Sequence, residues 1–392
     1  PDTLYTMVMD ATGGSAAPDV ARAFADRAVP TLTWIEEHGG RLTTVPGAAL
    51  YARVFDPVKR SVPGLDGAGF GVDRFLTGLA DRFVAEGGDL RQPARARRLV
   101  RRVDRWEVTM EGEGDLTVVS ARLVVLADGG FQANPELVRR YIGTDRLKLR
   151  ATSTGSGDGL MMGLAAGGTA VAMRCFYGHL LCRESLVDDR LWPYPLLDGL
   201  AGSGVLVGPD GVRFVDEGLG GIAMANHLAW SPSPIGAWVI FDDAAWRTVG
   251  CQGATPPNPY LEQHGATVLS APDVEGLADA MALPRQRVAA AIGDLEPRPG
   301  EAVPPRTGHV SLDTPPFHAV PVVAGLTFTM GGLAVDGSAR VLDASGTPVP
   351  GLYAAGGTMG GLHGGPDAGY AGGLLEAAVF GLIAGRHIRE TR

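Results

Sequence analysis

The sequence predicts an α/β chain, a parallel sheet with helices, into which an α+β segment is inserted. Three observations predict it. Leu123-Val124-Val125-Leu126-Ala127 is wholly apolar, the pattern of a buried parallel strand, and it ends in Asp128-Gly129-Gly130. The same order recurs near the C-terminus, where the short apolar run 351–355 meets a glycine cluster at 356–373 and a helix-like apolar segment at 374–384. Between the two, residues 176–200 turn aromatic and proline-rich, which places a second domain at about 175–322, with the first resuming at about 323. Strand, glycine turn and helix together bring backbone N–H groups and a helix N-terminus up to a ligand.

Taken in order, residues 1–16 carry no regular pattern. From Pro18 the apolar residues Val20, Phe24, Val29, Leu32, Trp34 and Ile35 recur at roughly helical intervals, and Gly39-Gly40 ends the run. Prolines at 46, 57 and 63 mark loop with short strands. A second helix opens at Gly67-Ala68-Gly69-Phe70-Gly71, with Phe75, Leu76, Leu79 and Phe83 as its apolar face. Residues 99–103, 106–110 and 116–119 read as a short meander. A glycine turn at 155–159 leads into a helix at 160–166. Residues 204–215 read as a hairpin turning at Gly208-Pro209-Asp210-Gly211, and 238–241 as a further strand. Residues 250–320 mix short helices with proline-rich loops, and no internal repeat is evident.

At 392 residues the chain is long enough for two cores. Its 57 glycines are about twice the usual share of roughly 7%, without a collagen-like period, so they mark tight turns and close backbone approaches. A net charge of −9 argues against nucleic acid as a partner. The basic cluster 95–105 suits an exposed strand as well as a binding patch. Cys175, Cys182 and Cys251 match neither a disulfide framework nor a zinc site, so a reducing, cytoplasmic compartment is expected, with Cys175 and Cys182 as buried thiols. No apolar run is long enough to span a membrane and no signal-peptide pattern opens the sequence. Met161, Met162 and Met330 read as core. There is no histidine pair at metal-binding spacing, no GxSxG elbow, no P-loop and no GxGxxG.

Five stretches, in this order, resemble one known family. They are residues 124–135 (VVLADGGFQANP), Gly157-Asp158-Gly159 with the following helix, 204–218 (GVLVGPDGVRFVDEG), Thr329-Met330-Gly331-Gly332, and the closing segment 351–385. They are similar to the FAD-dependent flavoproteins of the fumarate reductase and succinate dehydrogenase family, with tricarballylate dehydrogenase and 3-ketosteroid dehydrogenase among its members. The resemblance covers nearly the whole chain. It implies an incomplete Rossmann-like FAD-binding domain (1–174 and 323–392) with an inserted α+β capping domain (175–322). It also implies FAD as cofactor. Gly129 and Gly130 would lie by the diphosphate and ribose, with Asp128 in place of the usual threonine and Asp158 in the following turn. Ala96 would meet the adenine. Gly356, Gly357, Gly372, Gly373, Leu374 and Leu375 would wrap the flavin.

The departures from the family pattern shape the expected activity. The N-terminal βαβ unit that carries GxGxxG is missing, which leaves open a separate N-terminal segment or a relative that has lost FAD binding. Gly357 stands where a glutamate often follows. The positions of the family's substrate-binding arginines fall at Gly220 and near Gly369 or Tyr370, and that of the histidine before TMGG at Thr327 or Phe328. A small dicarboxylate substrate is therefore not expected. His179 sits where the family often places a substrate-binding histidine, and Tyr370 resembles the ketosteroid dehydrogenase tyrosine near the flavin. Arg183 and Tyr194 are near His179 in sequence and are further candidates to polarise a carbonyl or move a proton. The expected function is a flavin-dependent oxidoreductase of CH–CH bonds next to a carbonyl, acting on a cyclic or largely apolar small molecule, with an electron-transfer partner possible. The alternative is a scaffold, a regulatory subunit or a binder of another ligand in the same cleft.

Overall fold

The computed structural model describes residues 1–44, 53–57, 70–112, 114–191, 195–252, 257–293 and 304–391. Its sheets are organised by one long strand, Phe317–Thr329, whose residues 318–326 are all buried. Such a run is what a strand covered on both faces requires. The first half pairs antiparallel with Trp238–Asp242 on one edge and with Leu269–Ala271 on the other. The second half pairs antiparallel with Phe176–Cys182 and, at Gly325 and Leu326, parallel with Lys148–Leu149. Val205–Val207 extends the sheet beyond Trp238–Asp242. The strand therefore crosses the boundary expected at residue 322, and the same chain segment serves both sides of it.

A second sheet pairs Val124–Leu126 parallel with Pro348–Ala354, and Arg340–Leu342 antiparallel with the latter. The two parallel strands end side by side: the Ala355 N–H donates to the Leu126 carbonyl at 3.0 Å. Their following turns, Gly129-Gly130 and Gly356-Gly357, are thereby brought together. The expectation that the first of these strands is fully buried needs correcting. It is an edge strand, and Val125 is 41% exposed. Its run of apolar side chains carries no information about which edge lacks a neighbour.

The meander forms as Arg95–Arg101, Trp106–Glu111 and Leu116–Ala121. Several of its arginines are exposed and paired with acids, Arg97 with Glu111 at 2.5 Å and Arg102 with Glu107 at 2.7 Å, while Arg101 donates to the Pro350 carbonyl and lies over the Trp106 ring. The basic cluster is a charge-balanced strand face. The predicted helices appear as Pro18–Glu37, Gly71–Ala85 and Asp158–Ala165. The last helix, Gly373–Glu390, runs longer than expected and packs on Pro18–Glu37.

Three further expectations are corrected. Residues Asp2–Ala11 are helical rather than irregular. That helix has no side-chain cap, and its short apolar face closes only against its neighbour, where Arg22 lies 4.2 Å over the Tyr5 ring and 2.8 Å from Asp2. Residues 204–215 do not pair as a hairpin beyond a single bridge between Val207 and Arg213. Val205–Val207 pairs with Trp238–Asp242 on one edge, and on the other the Leu206 N–H is taken by Glu217 Oε1 at 2.8 Å rather than by a strand. Met161 is 42% exposed, whereas Met162 and Met330 are core.

Glu217 lies at the centre of a buried ionic cluster. It accepts from Arg213 Nε at 3.0 Å and Nη2 at 2.6 Å, from Arg306 Nη1 at 2.8 Å and from the Leu206 N–H at 2.8 Å. Removing one partner of a buried pair strands the other charge in a medium that cannot solvate it. Glu217→Ala is expected to destabilise the fold by about 3–5 kcal/mol, read as a lowered urea midpoint; an unchanged midpoint would show that the cluster does not hold this region. The cysteines give a second test. Burial pushes the Cys175 thiol up to about 11 and the Cys182 thiol up to about 12, while Cys251 is exposed. Since the thiolate is the reactive form, a disulfide reagent at pH 8 should titrate one thiol promptly and the other two only after unfolding.

Candidate active site

The glycine turns at the two strand ends pack backbone to backbone. Thr358 Oγ1 accepts from the Gly129 N–H at 3.1 Å and lies 3.0 Å from the Gly129 carbonyl and 3.2 Å from Asp128 Oδ1. Asp128 Oδ2 accepts from the Gly159 N–H at 2.8 Å, which joins the first turn to the helix Asp158–Ala165. A side chain at Gly130 would collide with Thr329 Oγ1, which itself accepts from the Phe131 N–H at 3.2 Å. Gly372, at φ 109°, leads into the last helix with open space beside it. One residue into that helix Leu374 is 66% exposed, while Leu375 packs against the core. The result is a backbone-lined cradle with a helix N-terminus at one end.

At the other end, Arg95 on the meander pairs with Asp158 at 2.5 Å and donates to Ser156 Oγ at 2.9 Å. The Arg95 hydrogen bond holds the Asp158 carboxyl below its ordinary range. Ala96 follows on the same strand, half-buried. Asp128 and Asp158 thus both have protein donors already. Asp128 brings negative charge to the turn, which suits a hydroxyl donor such as a ribose better than a phosphate.

Beside the cradle lies a group of rings. Tyr177 stacks on Phe328 with centroids 5.5 Å apart and meets Tyr370 at 4.5 Å and His179 edge-on at 5.1 Å. Phe328 is 5.8 Å from Tyr370. The backbone explains the meeting. Tyr177 and Phe328 are partners across Phe176–Cys182 and Phe317–Thr329, next to an irregularity in register between Leu326 and Phe328. A bulge of this kind re-aims the side chain that follows it. Met330, Cys175 and Ala368 form the floor, and Ile222 and Trp230 close in from the helix Gly221–Trp230.

Two polar groups enter this apolar wall. His179 Nδ1 lies 2.5 Å from Asp198 Oδ2, and the other Asp198 oxygen accepts from the Leu180 N–H at 2.8 Å. Asp198 is therefore fixed by backbone and in turn fixes the imidazole, making Nε2 the basic nitrogen. The Tyr370 hydroxyl accepts from the Gly373 N–H at 2.7 Å, at the first residue of the last helix. Burial pushes the phenol up to about 12; the Gly373 N–H opposes this, and Tyr177 and Glu376 add to it. Tyr370 is thus protonated at neutral pH and suited to donating a hydrogen bond rather than acting as a base.

The structure brings His179 and Tyr370 to the same ring cluster through Tyr177. It does not bring Arg183 there: that guanidinium donates to the Ile235 carbonyl at 3.2 Å and lies over the Trp238 ring. Tyr194 lies outside the described residues. Sequence reasoning missed Asp198, His363 and Glu376. The last two are each 2% exposed and face one another. An acid at the fourth position of the apolar run GLLEAAVFG was the available signal. Among the described residues no cluster of His, Cys, Asp or Glu could hold a metal ion, and no helix is long and apolar enough to cross a membrane.

Known proteins match this arrangement. The probable fumarate reductase Ifc3 of Shewanella frigidimarina is 26% identical over 385 residues, 95% of this chain and 62% of its own length. The 4-oxocyclohex-2-ene-1-carboxylate 5-dehydrogenase of Sinomonas cyclohexanicum is 29% identical over 311 residues, 69% of this chain and 51% of its own. The chain thus spans half to three-fifths of the length of these relatives. In structure, the 3-ketosteroid delta1-dehydrogenase of Sterolibacterium denitrificans superposes with a TM-score of 0.75 at 19% identity, covering 100% of this chain and 89% of that one. The sequence itself matches the FAD binding domain family over residues 1–369. The backbone cradle of Gly129-Gly130, Gly356-Gly357 and Gly372-Gly373 fits a flat, dinucleotide-linked cofactor, and the chain belongs to the FAD binding domain family.

Proposed function

We propose that this chain is the catalytic part of a flavin-dependent oxidoreductase that adds or removes two hydrogens across a CH–CH bond next to a ring carbonyl. The observation that carries the reading is the position of Tyr370. Its hydroxyl is held 2.7 Å from the first N–H of an 18-residue helix, between a glycine cradle and an aromatic wall. Behind it stands the fold proposed from the sequence: an incomplete Rossmann-like FAD-binding domain, 1–174 and 323–392, with an inserted α+β capping domain, 175–322. The parallel strands ending in glycine turns and the mixed sheet around Trp238–Asp242 support that division. FAD, when bound, supplies hydride acceptance or donation at N5. Backbone groups of Gly129, Gly130, Gly356, Gly357, Gly372 and Gly373, with Leu374 and Leu375, would hold it. Asp128, Asp158 and Ala96 would flank its adenosine side.

The chain's own residues do the rest. A carbonyl oxygen at the Tyr370 hydroxyl and the helix N-terminus gains a hydrogen bond and a favourable dipole as it takes on negative charge. Polarisation acidifies the neighbouring C–H. A base removes that proton while the adjacent carbon loses hydride, so two hydrogens leave and one C=C forms; the reduction is the reverse. His179, with Asp198 on Nδ1, is the base we assign, through Nε2. Tyr177, Phe328 and Tyr370 present ring surfaces that suit a flat, largely apolar substrate and exclude water. Two groups of similar proteins act on ring ketones, as named: the oxocyclohexene carboxylate dehydrogenase and the ketosteroid dehydrogenases. Together with the absence of family arginines at Gly220 and Gly369 or Tyr370, this favours a cyclic ketone over a small dicarboxylate.

The test begins with the visible spectrum of the purified chain after incubation with FAD and gel filtration. Retained flavin bands that bleach or recover with a panel of cyclohexanones and cyclohexenones are the expected result. A protein that stays colourless would remove the reading for this chain alone. Tyr370→Phe should lower turnover about 10²–10³-fold with flavin retained, the loss of one polarising donor; unchanged turnover would take Tyr370 out of the chemistry. Asp198→Asn should lower turnover by about 10²-fold or more, because it leaves the His179 tautomer unspecified; steady-state kinetics at fixed flavin occupancy reads both.

A further inference from the structure

A buried acid and a buried histidine behind the ring cluster have no part in the chemistry above. His363 sits in the glycine cluster and Glu376 in the first turn of the last helix. His363 Nδ1 accepts from the Ala371 N–H at 3.1 Å, so its proton is on Nε2, which faces Glu376 Oε2 at 3.2 Å. One imidazole thus ties the loop 369–373 to the helix that the loop starts. Its ring also lies 5.2 Å from Tyr370, tilted by 34°, and 6.1 Å from Phe328. A fully buried carboxylate and imidazole add little net stability over apolar residues of the same volume. What they add is directional: the ring admits one tautomer and one orientation, and Ala371 has one position that satisfies it.

We propose that His363 and Glu376 are a positioning pair that sets the loop 369–373, and through it the Tyr370 hydroxyl and the first N–H groups of the last helix, at the reacting edge of the site. The proposal deepens the reading of Tyr370 given above and rests on it for its functional consequence. Among the groups that bear on Tyr370 are Tyr177 from the strand Phe176–Cys182, Phe328 from Phe317–Thr329, His363 from the glycine cluster and Glu376 from the last helix, with His179 beyond Tyr177. Glu376 carries the negative charge in this set that bears on the phenol, and it favours the protonated form.

Amide hydrogen exchange of the full chain reads the pair without any turnover. His363→Phe should speed exchange at Ala371 and Gly373 at least about tenfold while the core strand Phe317–Thr329 stays protected. His363→Asn, which keeps an acceptor at the δ position, should restore most of the protection. Wild-type exchange at both amides in His363→Phe would overturn the proposal. Where His363→Phe does not fold, the comparison of His363→Asn with Glu376→Gln decides. Glu376→Gln keeps an acceptor for Nε2–H and loses the charge. It should leave exchange within about threefold of wild type. Exchange raised as much in Glu376→Gln as in His363→Phe, or protection lost equally in His363→Asn, counts against the pair. The two readings separate cleanly: if Tyr370→Phe keeps full activity while the amides respond to His363, the positioning stands and the role of Tyr370 falls.

Discussion

The site depends on the register of one strand. Phe317–Thr329 spends its first half between Trp238–Asp242 and Leu269–Ala271 and its second half against Phe176–Cys182 and Lys148–Leu149, so its alternation decides what faces the cleft. Side chains on a strand change face at every residue, and a one-residue slip would invert the arrangement. The irregularity between Leu326 and Phe328 interrupts that alternation once, at the place where the chain reaches the cleft. Phe328 then joins the ring cluster, while Thr329 turns to the glycine turn at 129–130 and accepts the Phe131 N–H. One backbone irregularity therefore sets both the aromatic wall and the fit of the cradle.

Around that strand the site is built from groups whose polarity is used up in fixed directions. Asp198 is held by the Leu180 N–H before it meets His179. Asp128 is held by Gly159 and Thr358, and Asp158 by Arg95. Each carboxylate orients something else. Preorganised donors and acceptors of this kind need no rearrangement when charge develops, which is where electrostatic catalysis gains most of its effect. The rings lie beside His179 and Tyr370, whereas Asp128 and the Arg95–Asp158 pair stand nearer to solvent.

Much of this was legible in the sequence because it rests on local patterns. The two apolar runs ending in glycines proved to be adjacent parallel strands, and the helices expected after the turns at 155–159 and 356–373 are present, whereas the helix Pro135–Ile142 after the turn at 128–130 was not foreseen. His179 and Tyr370 were singled out by their resemblance to family positions rather than by any local pattern, and they share one ring cluster. What escaped was non-local. Asp198 reaches His179 across 19 positions, and His363 reaches Glu376 across 13. Arg183 looked near His179 in sequence, yet the 3-10 turn that begins at Arg183 leads it to Trp238 instead. Val125 reads as core in any window of sequence; its exposure follows from strand order, which no window contains. The helix Asp2–Ala11 escaped for the same reason, since its apolar face has meaning only against Pro18–Glu37.

The cluster of Arg213, Glu217 and Arg306 has a consequence for how such a protein can change over time. One carboxylate serves two guanidinium groups, a strand N–H and, through Arg306, the carbonyls of Gly202 and Gly204. No member can be replaced alone without leaving a buried charge or a broken turn. The three positions are therefore mutationally coupled, and drift among relatives should preserve all three or exchange them together. Exposed ion pairs, such as Arg285 with Asp279, are free to vary one at a time. The sheet around Val205–Val207 thus carries a locked inner register beneath a permissive outer face, an arrangement that lets the surface diversify while the sheet beneath it stays the same.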